Sequence, residues 1–365
     1  MNQKQNFLET IRWGSPEYVS VGFGPLAMIR EPGSKSFDPD GRDCWGVKWK
    51  RGDEVSGRPC VMPGSDVITD LEHWQKQLVV PDLKSDRYDF EKAAAEAATI
   101  DRDSHLVCLN CTGGIFERTH FLLGFQECLM DMMTDPELVA EIMQTIAQFK
   151  IDLLTETWNH THFDAIFFHD DWGSKTSLFF SPALWKELIA PLHQQVVNTV
   201  KELGNGEVIF IHHSDTFLEP LLPEMAKMGI DVWQGCIPQN DIIRLQQENR
   251  GKIGFMGGID IAKIDREDAS EEEIRQEVRR AIDTYVPYGG FVPGIPSGSA
   301  LFPRVQRIVT DELTQYAEIF SKSHFIKQEV SVKVSTGPAQ RKKGAPKRPC
   351  KHLFFARPES IFNQI

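Results

Sequence analysis

His213 and Asp215 stand two residues apart in His213-Ser-Asp215, directly after an apolar run. In extended chain, residues i and i+2 share a face, so this spacing offers an imidazole and a carboxylate to one metal ion, or lets the acid orient the imidazole as a base. Two ligands do not complete a site, and Glu117, Asp170 or His169, each from another segment end, can supply a third. The same residues equally allow Asp215 to cap a helix starting at Thr216 or Phe217 while His213 bonds a neighbouring loop. Asp170-Asp171 is a pair of adjacent carboxylates, of which only one is expected to face a pocket. Trp172-Gly173 beside it offers a flat apolar wall, and a desolvated carboxyl there would hold or give a proton; the alternative is a loop brace bound to backbone amides. Gly257-Gly258 lets a substrate approach the main chain, and Asp260 either caps the next helix or joins the chemistry.

These residues follow short β-rich runs, Leu106–Asn110, Ala165–His169, Glu207–His212, Ile230–Gln234, Ile253–Gly257 and Gly290–Pro293. Helical segments lie between the runs, with start signals at Thr134-Asp-Pro-Glu, Ser181-Pro182 and Ser270-Glu-Glu-Glu. Strand-helix alternation predicts a parallel sheet. With one or two further strands in and around Tyr18–Phe23, the count reaches seven or eight, and a closed α/β barrel of the (β/α)8 TIM type is expected. Active sites of such barrels form where strands end, so five polar junctions converge on one rim: Thr112 to Arg118, His169 to Gly173, His212 to Asp215, Trp233 to Gly235 and Gly257 to Asp260. Residues 24–100, rich in Gly and Pro with Trp45, Trp49 and Trp74, read as a long insertion with local hairpins over one barrel end, and Asp38-Pro-Asp-Gly41 reads as a turn.

The chain has 365 residues and a net charge of −12, unevenly placed. Residues 330–365 carry eight Lys or Arg against the single acid Glu359, which leaves 1–329 near −19. The expected division is a barrel over 1–329 and a basic tail over 330–365, disordered through Ser335–Pro349. An acidic body repels a phosphate backbone, so nucleic-acid binding is not expected of the main domain. No apolar run suits a bilayer and no leader pattern opens the chain, so a cytoplasmic protein is expected. Seven scattered cysteines fit a reducing compartment. Cys108-Leu-Asn-Cys111 reads as one buried and one outward thiol of a strand. No phosphate-binding glycine loop or nucleophile-elbow motif stands between a strand and a helix, which argues against the common nucleotide enzymes and serine hydrolases.

Several segments resemble the uroporphyrinogen decarboxylase superfamily, which includes the cobalamin-dependent methyltransferases. They are the opening Asn6 to Val21, Asp170-Asp171-Trp172-Gly173 with Leu178-Phe-Phe-Ser-Pro182, His213-Ser-Asp215 and Phe255-Met-Gly-Gly-Ile-Asp260. His213-Ser-Asp215 stands where the methyltransferases have His-x-Cys. The resemblance covers about residues 5–325 and implies the same barrel. It implies a methyltransferase that works with a corrinoid carried by a partner protein, on a small methylated substrate. A divalent metal, zinc by analogy, would be held by His213, Asp215 and Glu117, with Asp170 or Asp171 as proton donor and Trp172 and Trp233 as walls. Arg30 lies nearest to the Arg-rich motif with which the decarboxylases hold substrate carboxylates, but the second Arg is missing. The late histidine turn and the distant cysteine ligand of the family are replaced by Val292-Pro-Gly-Ile-Pro296. A carboxy-lyase of tetrapyrroles and a non-catalytic binding barrel are the alternatives.

Overall fold

The structure, a computed structural model, describes residues 1–34, 37–50 and 59–335. The chain divides into two units, Met1–Phe325 and Ile326–Ile365. The second takes in the end of the helix Pro303–Ser335, and the basic tail beyond it lies outside the described residues. Among the described residues no helix is long and apolar enough to cross a membrane.

Among the described residues the first unit has nine strands: β1 (Leu26–Arg30), β2 (Trp49–Lys50), β3 (Cys60–Val61), β4 (Leu106–Cys111), β5 (Ala165–His169), β6 (Ile209–His213), β7 (Val232–Cys236), β8 (Gly254–Gly258) and β9 (Phe291–Gly294). Seven form one parallel sheet in the order β1-β4-β5-β6-β7-β8-β9, while β2 and β3 pair antiparallel by themselves. Each later strand lies beside its predecessor, with helices between, as α/β barrel connections require. The helices start where the chain can satisfy their first amides. Ser270 accepts from Glu273 N, Ser181 from Leu184 N, and Pro136 occupies the first turn of Pro136–Thr161.

Side-chain alternation sorts the strand residues into two layers. Cys108, Phe167, Ile211, Val232, Met256 and Val292 point inward and form an inner cluster, which Phe7 and Ile11 of the helix Gln3–Ile11 complete. Leu109, Phe168, Phe210, Trp233, Phe255 and Phe291 point outward under the helices. Each such buried side chain contributes roughly 1.5–3 kcal/mol by leaving water. Cys111 joins the outer layer, so the outward thiol of Cys108-x-x-Cys111 is buried as well.

Two expectations change. The first barrel strand is Leu26–Arg30, inside the range read as insertion, and Tyr18–Phe23 forms no strand. The backbone of that segment is bound by side chains instead: Tyr18 O accepts from Asn6 Nδ2, and Val19 N donates to Ser321 Oγ. The seam between β9 and β1 therefore holds an irregular segment joined to β9 by Gly22 N to Pro293 O at 2.8 Å. The sheet is seven-stranded and TIM-barrel-like, and the eighth position is not a strand.

The insertion lies over the helices next to β4. Trp45 packs edge-on to Phe149, and Asp43 pairs with Arg118 at 2.6 Å. Beneath it, buried Lys150 donates to Glu31 at 3.0 Å and to Thr112 O at 2.8 Å, while Glu31 accepts from Thr112 N at 3.0 Å. This network ties the ends of β1 and β4 together. Lys150→Met leaves a buried, unpaired Glu31 and is expected to lower unfolding stability by about 3–5 kcal/mol. Adding Glu31→Gln should restore part of that loss in urea titrations.

Candidate metal centre

The top of the barrel is set by strand register. β5 and β6 pair His169 with His213, and β6 and β7 pair His213 with Gln234. All three belong to the inward-facing set, one layer above Phe167, Ile211 and Val232. The His169 and His213 rings lie 4.3 Å apart. His169 Nε2 bonds Asn110 Oδ1 at 3.0 Å, and burial holds His169 neutral by pulling its pKa well down.

Gln234 settles the tautomer of His213. Its Nε2 donates to Pro296 O at 2.9 Å, and a carbonyl can only accept, so its Oε1 is the atom facing His213 Nδ1. His213 Nδ1 consequently carries the proton, and the Nε2 lone pair is left free for a metal.

The two aspartates after β5 take different work. Asp170, fully buried, accepts from Glu117 N at 2.9 Å, Phe116 N at 3.3 Å and Trp172 Nε1 at 3.0 Å. It thus caps the helix Ile115–Leu123 from a neighbouring strand end. The fit is close: a Cβ on Gly114 would lie 2.4 Å from Asp170 Cβ. Burial pushes Asp170 up to about 7, and these donors limit the rise. The brace reading therefore describes Asp170, and Asp171 is the carboxylate that meets the histidine.

Asp171, His213 and Asp215 offer ligand atoms that all lie within 4.8 Å of one another. Asp171 Oδ1 is buried with no hydrogen-bond partner, and Lys175 Nζ stands 3.6 Å from Asp215 Oδ2. Burial, then the charge of Asp215, raises the Asp171 pKa. Glu117 is raised well above the carboxylate range by burial, then by Asp171 and Asp170. It lies outside the three-residue cluster, beside Asp171 rather than as the third ligand expected from sequence. An orphaned buried carboxylate oxygen, a second acid and a free imidazole nitrogen fit a divalent cation, with a harder donor set than His and Cys would make.

The other residues singled out in the sequence stand elsewhere. Trp172 is fully buried against His212, Trp185 and His193, and Trp233 points outward, donating to Ser214 O at 3.0 Å. Neither forms a pocket wall, because each lies on the helix-facing layer. Gly258, at φ +87°, is crowded by Phe291 and Tyr285, and its carbonyl accepts from Arg280 at 2.7 Å. It serves packing rather than substrate approach. Asp260 precedes the helix Ile261–Ile264 without a side-chain cap bond, and its N–H donates to Glu277 at 2.8 Å. Arg30 is exposed at the end of β1 and lines a separate hollow with Arg87 and Lys92. Gln234 and Asn110, which orient the two histidines, were not singled out in the sequence; the alternation of β4 and β7 is the signal that finds them.

Behind the site, His193 and His212 are fully buried, and neither ring nitrogen of either has a partner. Burial lowers His193 to about 3. The unfolded chain takes up this proton below about 6.5 and the folded protein does not, so stability falls as pH drops through that range. His193→Phe removes the unpaired nitrogens and should raise the melting temperature. Its advantage over the wild type should widen by about 1.4 kcal/mol per pH unit below about 6.5, measured by denaturant titration at pH 7.5 and 5.

Comparison with known proteins agrees with this architecture. The family model for uroporphyrinogen decarboxylase (URO-D) matches residues 64–298, more than half of the chain. None of the curated proteins matches the sequence. A solved methyltransferase from Methanosarcina mazei superposes with a TM-score of 0.61 at 12% identity, over 88% of this chain and 99% of that one, which is a likeness of fold. The extent of the family match, over the stretch that supplies β4 to β9 and the whole acidic cluster, places the chain in the uroporphyrinogen decarboxylase family.

Proposed function

We propose that this family member is a methyltransferase, which moves a methyl group between a small methylated substrate and a corrinoid carried by a partner protein. The observation that carries the reading is the Asp171, His213 and Asp215 cluster, with its orphaned carboxylate oxygen at the barrel mouth. Methyl transfer is the activity to test because of the fold shared with the M. mazei methyltransferase. His213 Nε2 and one oxygen each of Asp171 and Asp215 would hold a divalent cation, zinc among those that suit the set. When bound, the cation supplies a Lewis acid for the heteroatom that bears the methyl group.

The remaining groups act on protons and position. Gln234 keeps His213 in the tautomer that presents Nε2. Glu117, held protonated by burial and by its acidic neighbours, is placed beside Asp171 to give a proton to the demethylated heteroatom. Asp170 transfers nothing; by accepting from Phe116 N and Glu117 N it fixes the first turn of the helix Ile115–Leu123, and Glu117 with it. Carboxy-lyase action on a polycarboxylate is disfavoured, since Asp171 and Asp215 stand together at the mouth and would repel it.

Protein purified without a histidine tag should contain one equivalent of divalent metal by elemental analysis, lost in His213→Ala and kept in Glu117→Gln. Absence of metal in the wild type, or retention in His213→Ala, would overturn the reading. Gln234→Leu frees the imidazole to rotate and change tautomer, and should weaken metal binding about 10–100-fold in chelator competition.

A further inference from the structure

The seam where an eighth strand would stand leaves a cavity of about 270 Å³. Its inner wall is Gln234, Met256 and Val292, the inward-facing residues of β7, β8 and β9. Its outer wall is Val309 and Leu313 of the helix Pro303–Ser335, and Phe23, which packs edge-on to Phe167 at 5.4 Å, lies across it. Glycine at 294 lets the irregular segment pass close by, since a Cβ there would come 3.3 Å from Gly22 Cα, while a Cβ on Gly22 would meet nothing within 4 Å. The cavity is therefore a slot that runs from the inner layer of the sheet to the last helix. Gln234 of its inner wall also bonds His213 of the metal cluster.

The chemistry of the lining is restrictive. It contains no ionisable side chain. Its polar side chains are already engaged: Gln234 with His213 and Pro296, Gln306 with Ala300 N and Thr310, Thr310 with Gln306 O, and Thr314 with Thr310 O. A charged ligand would lose its hydration here and gain no counter-charge, at a cost far above that of an uncharged one. An apolar cavity of about 150 Å³ already accepts benzene, so this slot has room for one substituted ring.

We infer that the seam slot is the binding site of the methylated substrate, and that this substrate is a small uncharged molecule of about one ring's size, a methoxyarene or a compound of like polarity. This rests on the methyl-transfer reading and adds to it the class of substrate and its place beside Gln234.

The test uses anisole and benzoate as paired probes, titrated calorimetrically into the full chain. Thr310 and Thr314 line the slot but are exposed on the helix, so tryptophan at either position blocks the slot without opening the core. Anisole should bind the wild type and benzoate should not. Thr314→Trp, or Thr310→Trp should the first fail to fold, is expected to weaken anisole by about tenfold or more with unchanged circular dichroism. Equal binding of benzoate, no binding of either probe, or anisole binding unaffected by both tryptophans would overturn the inference. Metal content measured on the same samples separates the two readings: metal present without anisole binding removes the slot alone, and anisole binding without metal removes the metal centre alone.

Discussion

Carboxyl groups buried side by side repel one another and lose their hydration, and the top of this barrel is arranged around how that strain is relieved. Asp170 is relieved by the three N–H groups of Phe116, Glu117 and Trp172. For Glu117, burial and then the charges of Asp171 and Asp170 raise the pKa well above the usual carboxylate value. Asp171 and Asp215 have His213 and Lys175 nearby, but one oxygen of Asp171 has no partner at all. The divalent cation proposed for this site would complete the arrangement. Because Asp170 is consumed in capping, the chain direction at Asp171 follows, and with it the side chain that reaches His213.

The strands were legible because a parallel strand buried on both faces must be apolar at nearly every position, with Gly, Asp or Pro at its ends. Ala165–His169 is found as read, the run from Ile230 is displaced by two residues, and the run from Glu207 starts two residues later and ends one later. Such displacements reverse no conclusion about which loops form the rim. Tyr18–Phe23 misled because its apolar pattern suits a strand, whereas its backbone is committed to Asn6, Ser321 and Pro293 from distant parts of the chain. Nothing local records those partners.

Within the site, His213 and Asp215 were legible from their spacing alone. The choice between Asp170 and Asp171 was not, because it depends on Gly114 letting the β4 loop approach to contact distance. Trp172 and Trp233 show why residue type is weaker than parity. Both have the chemistry of a pocket wall, yet each lies on the outward layer, where indole N–H groups serve Asp170 and the Ser214 carbonyl. Gln234, one position further along β7, is the inward residue, and an amide there is better suited than an indole to hold an imidazole tautomer.

The most direct test of the central claim is anomalous diffraction at the zinc absorption edge from crystals grown with equimolar zinc. The account expects one peak at about 2.0–2.2 Å from His213 Nε2 and from an oxygen of both Asp171 and Asp215, with Nδ1 still turned to Gln234. A peak on Nδ1, a peak elsewhere in the chain, or none at the barrel mouth would contradict it.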